Sequence, residues 1–463
     1  MLIRFSFKNF KSIGAKPLTL EMVSSAKVRA HKNHVCASSK SAKVLRNAVI
    51  YGGNAAGKSS IVVAFSFMKA AVLGGILPQG AAAEYCKCGK GMQDEETTFD
   101  IQLQVDGRAY DYGFSCILSK MRITSEWLYS LGGKAKLLFQ RDGLGSVDCS
   151  GFEGPSSEED KTRLGVYVND FLHQVQMGTG AELFLTAISN GRAYSSDSPL
   201  NALHDVFSWF GNGLDVVGVD HRTASSEFYA DDATLDKVAT VMSSFDTGIK
   251  GLKRQELTQE ELTKYVPLEV LNSVLAFIKD NRPQGIEDKA FVTVRADNAF
   301  LGVEADASGG FHATVLKIEH TGSIFDFEFK EESDGTRRLF DFMDTLFTRS
   351  RDKVFVVDEL NRSFHPMLTR QLVELFNEVH ADDDCQLVFT THEDAIMSFD
   401  YFRQDEIWFV ERSQTGCSVL YPLDKFNVRS DARLSKQYLE GRYGGIPVLS
   451  SSQALLGLEK GER

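Results

Sequence analysis

None of the chain's 463 residues falls in an unbroken apolar run of the length, about 18 residues, that a membrane-spanning helix needs. The opening segment, Met1 to Phe7, alternates apolar and polar residues. It lacks the charged start, apolar middle and small-residue cleavage site of a secretion signal, so no membrane association and a cytoplasmic location are expected. The seven cysteines (36, 86, 88, 116, 149, 385 and 417) are odd in number and scattered, as expected of free thiols in a reducing compartment. Cys86-Lys87-Cys88, with His31, His34 and Cys36 upstream, lacks the two-residue gap of paired zinc ligands and lies in polar loop sequence, so no zinc site is expected there. Net positive charge is also missing: 51 basic against 63 acidic residues leave −12. The densest basic stretch, Lys27 to Arg46, is diluted by serine, alanine and histidine and reads more readily as a solvated loop than as a phosphate-binding surface. If nucleic acid is a partner, an assembly or a second protein is expected to hold it. No heptad pattern persists, and no short-period repeat or long low-complexity segment appears.

The chain has the composition of a folded protein, 43% hydrophobic and 25% charged, and length enough for a large core with an insertion. Asn47 to Tyr51 is a short apolar run of the kind that forms a buried parallel strand. It leads into Gly52, Gly53, Asn54, Ala55, Ala56, Gly57, Lys58 and Ser59, a full match to G-x-x-x-x-G-K-[ST], with Ser60 next and an unbroken helical run from Ile61 to Ala70. Glycines let backbone N–H groups close on phosphate oxygens, and a helix N-terminus adds its dipole. Lys58 is expected on the β- and γ-phosphates of ATP and Ser59 on Mg²⁺.

A second signal lies far downstream. Val354 to Val357 is another buried-strand run, and it ends in Asp358 and Glu359. An acid at the end of an apolar strand in a P-loop protein is the Walker B arrangement. Asp358 is then a Mg²⁺ residue, and Glu359 suits a general base for the attacking water. Two such acids also suit a helix N-cap. The next apolar run, Gln386 to Thr391, ends in His392, placed to bond the γ-phosphate or the water. Between them, Met367 to His380 has helical spacing. Acid and histidine thus close successive strands at the edge where open α/β sheets bind ligands.

Glu331 to Phe340 holds a third signal, Ser333-Asp334-Gly335 before a run with Leu339, Phe342, Met343 and Leu346 on one face. Standing about 20 residues before the acidic strand, it resembles the signature of an ABC ATPase. In that class this serine and glycine cover the γ-phosphate held by the opposite subunit, so the resemblance implies a homodimer or higher homo-oligomer with ATP at the interface. Lys8 to Ser12 resembles the opening strand of SMC, RecF and OLD ATPases, and implies that Lys11 touches the nucleotide; an exposed strand-end lysine accounts for it equally well. Glu332 to Arg338, Asp358 to Pro366 and Tyr438 to Pro447 resemble the RloA-like and abortive-infection ATPases of phage-defence and restriction-associated operons. That family implies a separate Toprim- or HNH-type effector nuclease as partner. The pattern departs in Asp334, where transporters of the class have glycine. A glutamine-loop residue is not evident either: Gln102 or Gln104 serves, or each is a solvent-facing strand position.

The expected fold is α/β, a P-loop NTPase like an ABC/SMC head, with an antiparallel β subdomain and an inserted helical domain. Residues 1–150 are assigned to the N-terminal half of the head, with a hairpin turning at Asp106-Gly107 and extended by Leu137 to Arg141. A linker at Gly151 to Asp160 opens a mostly helical insertion over 151–290, with helices near Val166–Val175, Pro199–Phe210, Thr234–Phe245 and Thr258–Phe277, the last interrupted at Pro267. Residues 291–463 return through strands to the second half of the head. The roughly 70 residues after His392 are too few for an appended Toprim domain. The functions in view are an ATPase sensor or scaffold controlling an effector nuclease, and a RecF/SMC-like DNA-binding repair ATPase.

Overall fold

The strand before the glycine turn is β3 (Asn47–Tyr51), every residue of it buried. Numbered along the chain, its sheet runs β18 (Ser418–Pro422), β17 (Ile407–Arg412), β3, β16 (Gln386–Thr390), β15 (Val354–Val357), β9 (Leu214–Val217). All neighbours are parallel except β17 and β18. A parallel sheet must be covered on both faces, which is why its strands are continuous apolar runs. One cover is α1 (Lys58–Gly74), which buries residues around most of its circumference.

Against α1 lies a seven-stranded antiparallel sheet: β2 (Leu18–Glu21), β1 (Leu2–Lys8), β4 (Thr97–Val105), β5 (Arg108–Ile117), β6 (Arg122–Ser130), β7 (Lys136–Asp142), β8 (Ser146–Asp148). Phenylalanines join the two: Phe5 stacks on Phe65 at 3.8 Å between centroids, and Phe67 stacks on Phe99 at 5.0 Å. The β4–β5 turn places Asp106 at φ 48° and Gly107 at φ 76°, the left-handed pair that a two-residue hairpin requires. The buried amide of Gln386 on β16 joins the sheets, accepting from Leu2 N and donating to the carbonyls of Leu2 and Leu45.

The described residues are 1–36, 43–143, 146–153, 157–178, 181–192, 194–195, 197–218, 227–229, 232–280, 290–295, 299–305, 311–348, 350–429 and 431–446 of this computed structural model. Parts of the basic stretch, the linker, the strand-rich return and the C-terminal motif (Pro447 onward) lie outside them. The chain forms two compact units, one of residues 1–220, 351–360 and 381–463, the other of 221–350 and 361–380. This division differs from the expected boundaries at 150 and 290. Residues 151–220 fall in the first unit, with α2 (Ser150–Glu153), α3 (Glu158–Met177), α4 (Phe184–Ser189) and α5 (Asn201–Ser208). Their anchor is Glu126 on β6, fully buried, whose carboxylate accepts from the N–H groups of Phe184 and Leu185 at the start of α4 (2.7 and 2.9 Å) and from Tyr112. Burial raises the pKa of that carboxyl, and Arg141 at 3.7 Å pulls it back. The short run Leu214–Val217 then serves as the edge strand β9 rather than as helix.

The second unit is not all helix either. Its sheet runs β10 (Ile249–Leu257), β13 (Phe311–His320), β12 (Phe300–Ala305), β11 (Ala290–Arg295), with β14 (Phe327–Glu328) also on β13. It also carries α6 (Asp232–Ser244), α7 (Gln259–Leu262), α8 (Leu268–Asp280), α9 (Asp334–Phe347) and α10 (Pro366–Val379). The break between α7 and α8 falls at Pro267, as its fixed φ and missing N–H dictate. A last helix of the first unit, α11 (Leu434–Leu439), precedes the Gly441 to Gly445 turns. Among the described residues no helix is long and apolar enough to cross a membrane.

Candidate nucleotide site

The register of the parallel sheet brings the ends of β3, β16 and β15 to one edge, with β16 between the other two. At that edge β3 runs into the glycine loop. Gly57 has φ 111°, and a Cβ on it would stand 2.2 Å from Ser418 Oγ and 2.6 Å from Ser12 Oγ; Gly52 would place one 2.5 Å from the carbonyl oxygen of Val410. The loop therefore lies flush against β17 and β18, and only glycine fits. Because Gly57 has no side chain to cap α1, the helix N-terminus opens onto the loop as a positive dipole end.

A cavity of about 440 Å³ sits over this point, lined by residues 54–60, Ser12, Glu359, His392 and Arg412. Lys58 is 5% exposed, and its ammonium donates to the carbonyls of Gly52 (2.9 Å) and Gly53 (3.3 Å) and to Nε2 of His392 (2.7 Å). An ammonium only donates, so Nε2 of His392 accepts and the ring proton sits on Nδ1. Burial lowers the pKa of Lys58 to about 8, with Glu359 and Asp358 acting to raise it. Desolvation, and after it the Lys58 charge, hold His392 below its ordinary value, which keeps the imidazole neutral at pH 7.

The acidic end of β15 is held by one hydroxyl. Thr390 Oγ1 donates to Asp358 Oδ1 (2.6 Å) and accepts from the N–H of Glu359 (2.8 Å), while Asp358 N–H donates to Val217 on β9. This clamp holds Glu359 at φ 48°, a left-handed conformation that costs a non-glycine residue about 1–3 kcal/mol and recurs at functional sites. Asp358 is 3% exposed. Asp358 itself does not line the cavity, whereas Ser59 does; both offer oxygen donors, the kind a hard cation such as Mg²⁺ takes.

The structure thus gathers residues 54–60, Glu359 and His392 at one cavity. Lys11 is not on its wall: the ammonium pairs with Glu84, and the Lys11 N–H donates to the Glu84 carbonyl. Gln102 donates to Asp111 across the hairpin, and neither Gln102 nor Gln104 lines the cavity. Ser333 and Gly335 lie in the second unit. There Ser333 caps α9, its Oγ accepting from Thr336 N–H at 3.1 Å, and Gly335 lies close under the Ser363 carbonyl.

Three residues bonded to the glycine loop or its neighbours carry no assigned role in the sequence motifs. Ser418 Oγ lies 2.5 Å from the Ala56 carbonyl and 2.8 Å from Ser12 Oγ, which donates to Ser60 Oγ at 3.0 Å; Arg412 Nε donates to the Ala55 carbonyl at 2.8 Å. Ser12 stands one place after Lys11 in the opening motif. Arg412 and Ser418 have no local signature, since the sheet delivers them. Beyond His392, a second cavity of about 300 Å³ is lined by Gly52, Gly53, Asp394, Tyr438, Leu439 and Ile446.

A family model described as "AAA domain, putative AbiEii toxin, Type IV TA system" matches residues 234–398, a segment that holds Ser333, Asp358, Glu359 and His392 but not the glycine loop. No curated protein sequence matches the chain. Among solved structures, an Smc head bound to the C-terminal winged-helix domain of ScpA is similar at 13% identity, covering 91% of this chain and 97% of that one, with a TM-score of 0.43. The SMC head domain from Thermotoga maritima gives 12% identity, 92% and 99% coverage and a TM-score of 0.31. An Smc head with an extended coiled coil, bound to the C-terminal domain of ScpA and from Pyrococcus furiosus, gives 14%, 95%, 99% and 0.40. The fold is that of a P-loop ATPase, mixed α/β with antiparallel sheets.

Proposed function

We propose that this chain binds ATP with Mg²⁺ and hydrolyses it slowly. ATP binding would assemble copies of the chain into the sensor or scaffold of an anti-phage system, which controls a separate effector nuclease of Toprim or HNH type. The observation that carries the ATPase part is the convergence of Lys58, Glu359 and His392 on one cavity at the mouth of α1. Lys58 there spends its three protons on Gly52, Gly53 and His392, so a phosphate oxygen must displace one of them. The two carbonyls belong to the loop itself, whereas His392 is a side chain that can turn. Phosphate binding on Lys58 therefore frees the Nε2 lone pair of His392, and this coupling suits a residue that reports the nucleotide. Glu359, fixed in direction by the Thr390 clamp, takes the proton of the attacking water. Mg²⁺, when bound at Ser59 and Asp358, supplies charge neutralisation at the phosphates.

The defence role draws support from the motif resemblance and from the family model's description as a toxin of a type IV system. Its test pairs co-purification of the chain with the product of the neighbouring gene and phage plating of cells carrying both. Lys58→Ala is expected to abolish protection together with ATP binding. Unchanged plating by the wild-type operon would sink the defence reading while leaving the ATPase reading intact. ATP turnover stimulated by DNA, falling steeply with salt, would favour the repair reading instead.

A further inference from the structure

Three thiols meet beside the glycine loop, although the sequence separates one from the others by more than three hundred residues. Cys86 and Cys88 lie in the loop before β4, and Cys417 ends the turn between β17 and β18. Their sulfur atoms all lie within 4.8 Å of one another. Cys86 is buried, Cys417 half-buried and Cys88 exposed. His31, His34 and Cys36 take no part: His31 bonds the Phe399 carbonyl, His34 bonds Glu406, and Cys36 lies against the Asp384 carbonyl.

Both loops are fixed by bonds that do not involve the sulfurs. Cys86 N–H donates to Asn9 Oδ1, and Asn9 Nδ2 donates to the carbonyls of Met92 and Glu95. Ser413 N–H donates to the Cys417 carbonyl. Burial pushes the pKa of the Cys86 thiol up to about 12, against which the Cys88 N–H, pointing at Cys86 Sγ from 3.5 Å, acts to lower it, so a bound ion has to displace the proton. Cys88 Sγ reaches the Gly416 carbonyl at 3.2 Å, which sets it over the turn that carries Cys417. A disulfide would use two of these sulfurs and strand the third. A tetrahedral ion with bonds of about 2.3 Å spaces its sulfurs by about 3.8 Å, within reach of small side-chain rotations from the observed cluster.

We propose that Cys86, Cys88 and Cys417 form a three-thiolate site for zinc, with a water molecule completing the tetrahedron on the exposed Cys88 side. Soft sulfur donors select zinc over the hard Mg²⁺ of the nucleotide site. Each thiol gives its proton to solvent as its sulfur binds, and no redox change is involved. The position gives the ion a structural task. Cys417 immediately precedes Ser418, whose hydroxyl lies on the Ala56 carbonyl, and its sulfur lies against Gly14 in the loop that carries Ser12. Zinc would tie the β17–β18 turn to the loop before β4 and so stiffen the wall on which the glycine loop rests.

The test uses the full chain, purified under reducing conditions without chelator. Zinc content is read by elemental analysis, and Co²⁺ substitution is read by its thiolate charge-transfer band in the near ultraviolet. About one zinc per chain is expected. Cys88→Ser, a change at an exposed position, and Cys417→Ser should each weaken zinc affinity by about tenfold or more and diminish the cobalt band, whereas Cys149→Ser should leave both unchanged. A chain that takes up no zinc at micromolar concentration overturns the proposal. Equal zinc affinity in wild type and Cys88→Ser does so as well, as does a disulfide among these cysteines that persists in the reductant.

Discussion

In the proposed ATPase reading, Lys58 carries both the recognition of phosphate and the pH response of the site. Its pKa of about 8 arises because burial penalises the charged amine more than Glu359 and Asp358 favour it. Below that value the ammonium is present and phosphate binding has its full strength; as pH rises through it, the charge and the attraction are lost. ATP raises this pKa when bound, so linkage predicts that ATP affinity weakens about fivefold from pH ~8 to ~9. Titration with a fluorescent ATP analogue at several pH values checks this, with Lys58→Ala expected to bind weakly at every pH. His392 is already neutral over this window and contributes nothing to the slope. Glu359 supports a second prediction. Its left-handed backbone costs it stability that glycine would recover, so Glu359→Gly should raise the unfolding free energy by about 0.5–1 kcal/mol. With the proposed base gone, the proposed turnover should drop by about 10²-fold or more. Calorimetry and a phosphate-release assay read the two effects, and a variant less stable than wild type would show that the conformation is not strained. At this scale the sequence was legible where chemistry demands a local pattern, as in the glycine loop and the acid-then-histidine strand ends. It assigned no role to Ser12, Arg412 and Ser418, whose contacts with the loop arise only once the chain folds.

At the scale of elements, patterns with a physical stop were easiest to read. The Asp106-Gly107 turn and the Pro267 break fall where the sequence puts them because φ is dictated there. β9 and β10 were hidden for opposite reasons. Leu214–Val217 is four residues long, too short for periodicity to distinguish strand from helix. Ile249–Leu257 carries Lys250, Lys253, Arg254, Gln255 and Glu256 on an outer strand of its sheet, so it shows little apolar alternation. The helix α9 joins a structural role to a proposed functional one through Ser333. As N-cap it accepts from Thr336 N–H, and Ser333→Ala should cost about 1 kcal/mol of stability. Ser333→Asp keeps the cap but brings a negative charge to the position that, in the ABC-like reading, faces a γ-phosphate. The expected outcome is near-native melting with loss of ATP-dependent assembly. If Ser333→Asp assembles like wild type, Ser333 is a cap and nothing more.

The whole molecule divides by contacts rather than by the runs of helix and strand that the sequence displays. Residues 151–220 belong with the parallel and antiparallel sheets because Glu126 anchors α4 and β9 completes the edge of β15, neither of which a helical pattern announces. The glycine loop, Asp358, Glu359 and His392 all lie in the first unit, while Ser333 and Gly335 lie in the second. In the ABC-like reading the second unit of one copy completes the site on the first unit of another. Glu359→Gln then becomes the informative variant. It removes the proposed base but leaves Lys58, the helix N-terminus and the oxygen donors in place, so ATP should be bound and retained. Light scattering after gel filtration should therefore show Glu359→Gln shifting to a dimer or higher oligomer with ATP and Mg²⁺, but not with ADP. Adding Lys58→Ala to the same chain should abolish the shift, because the phosphate contact that holds ATP is gone. Adding Ser333→Asp should abolish it while leaving ATP binding by the separate chains unchanged, since the glycine loop proposed to hold ATP lies in the other unit. A monomer peak for Glu359→Gln with ATP demonstrably bound would mean that ATP is not the bond between copies, and the switch would have to act within one chain.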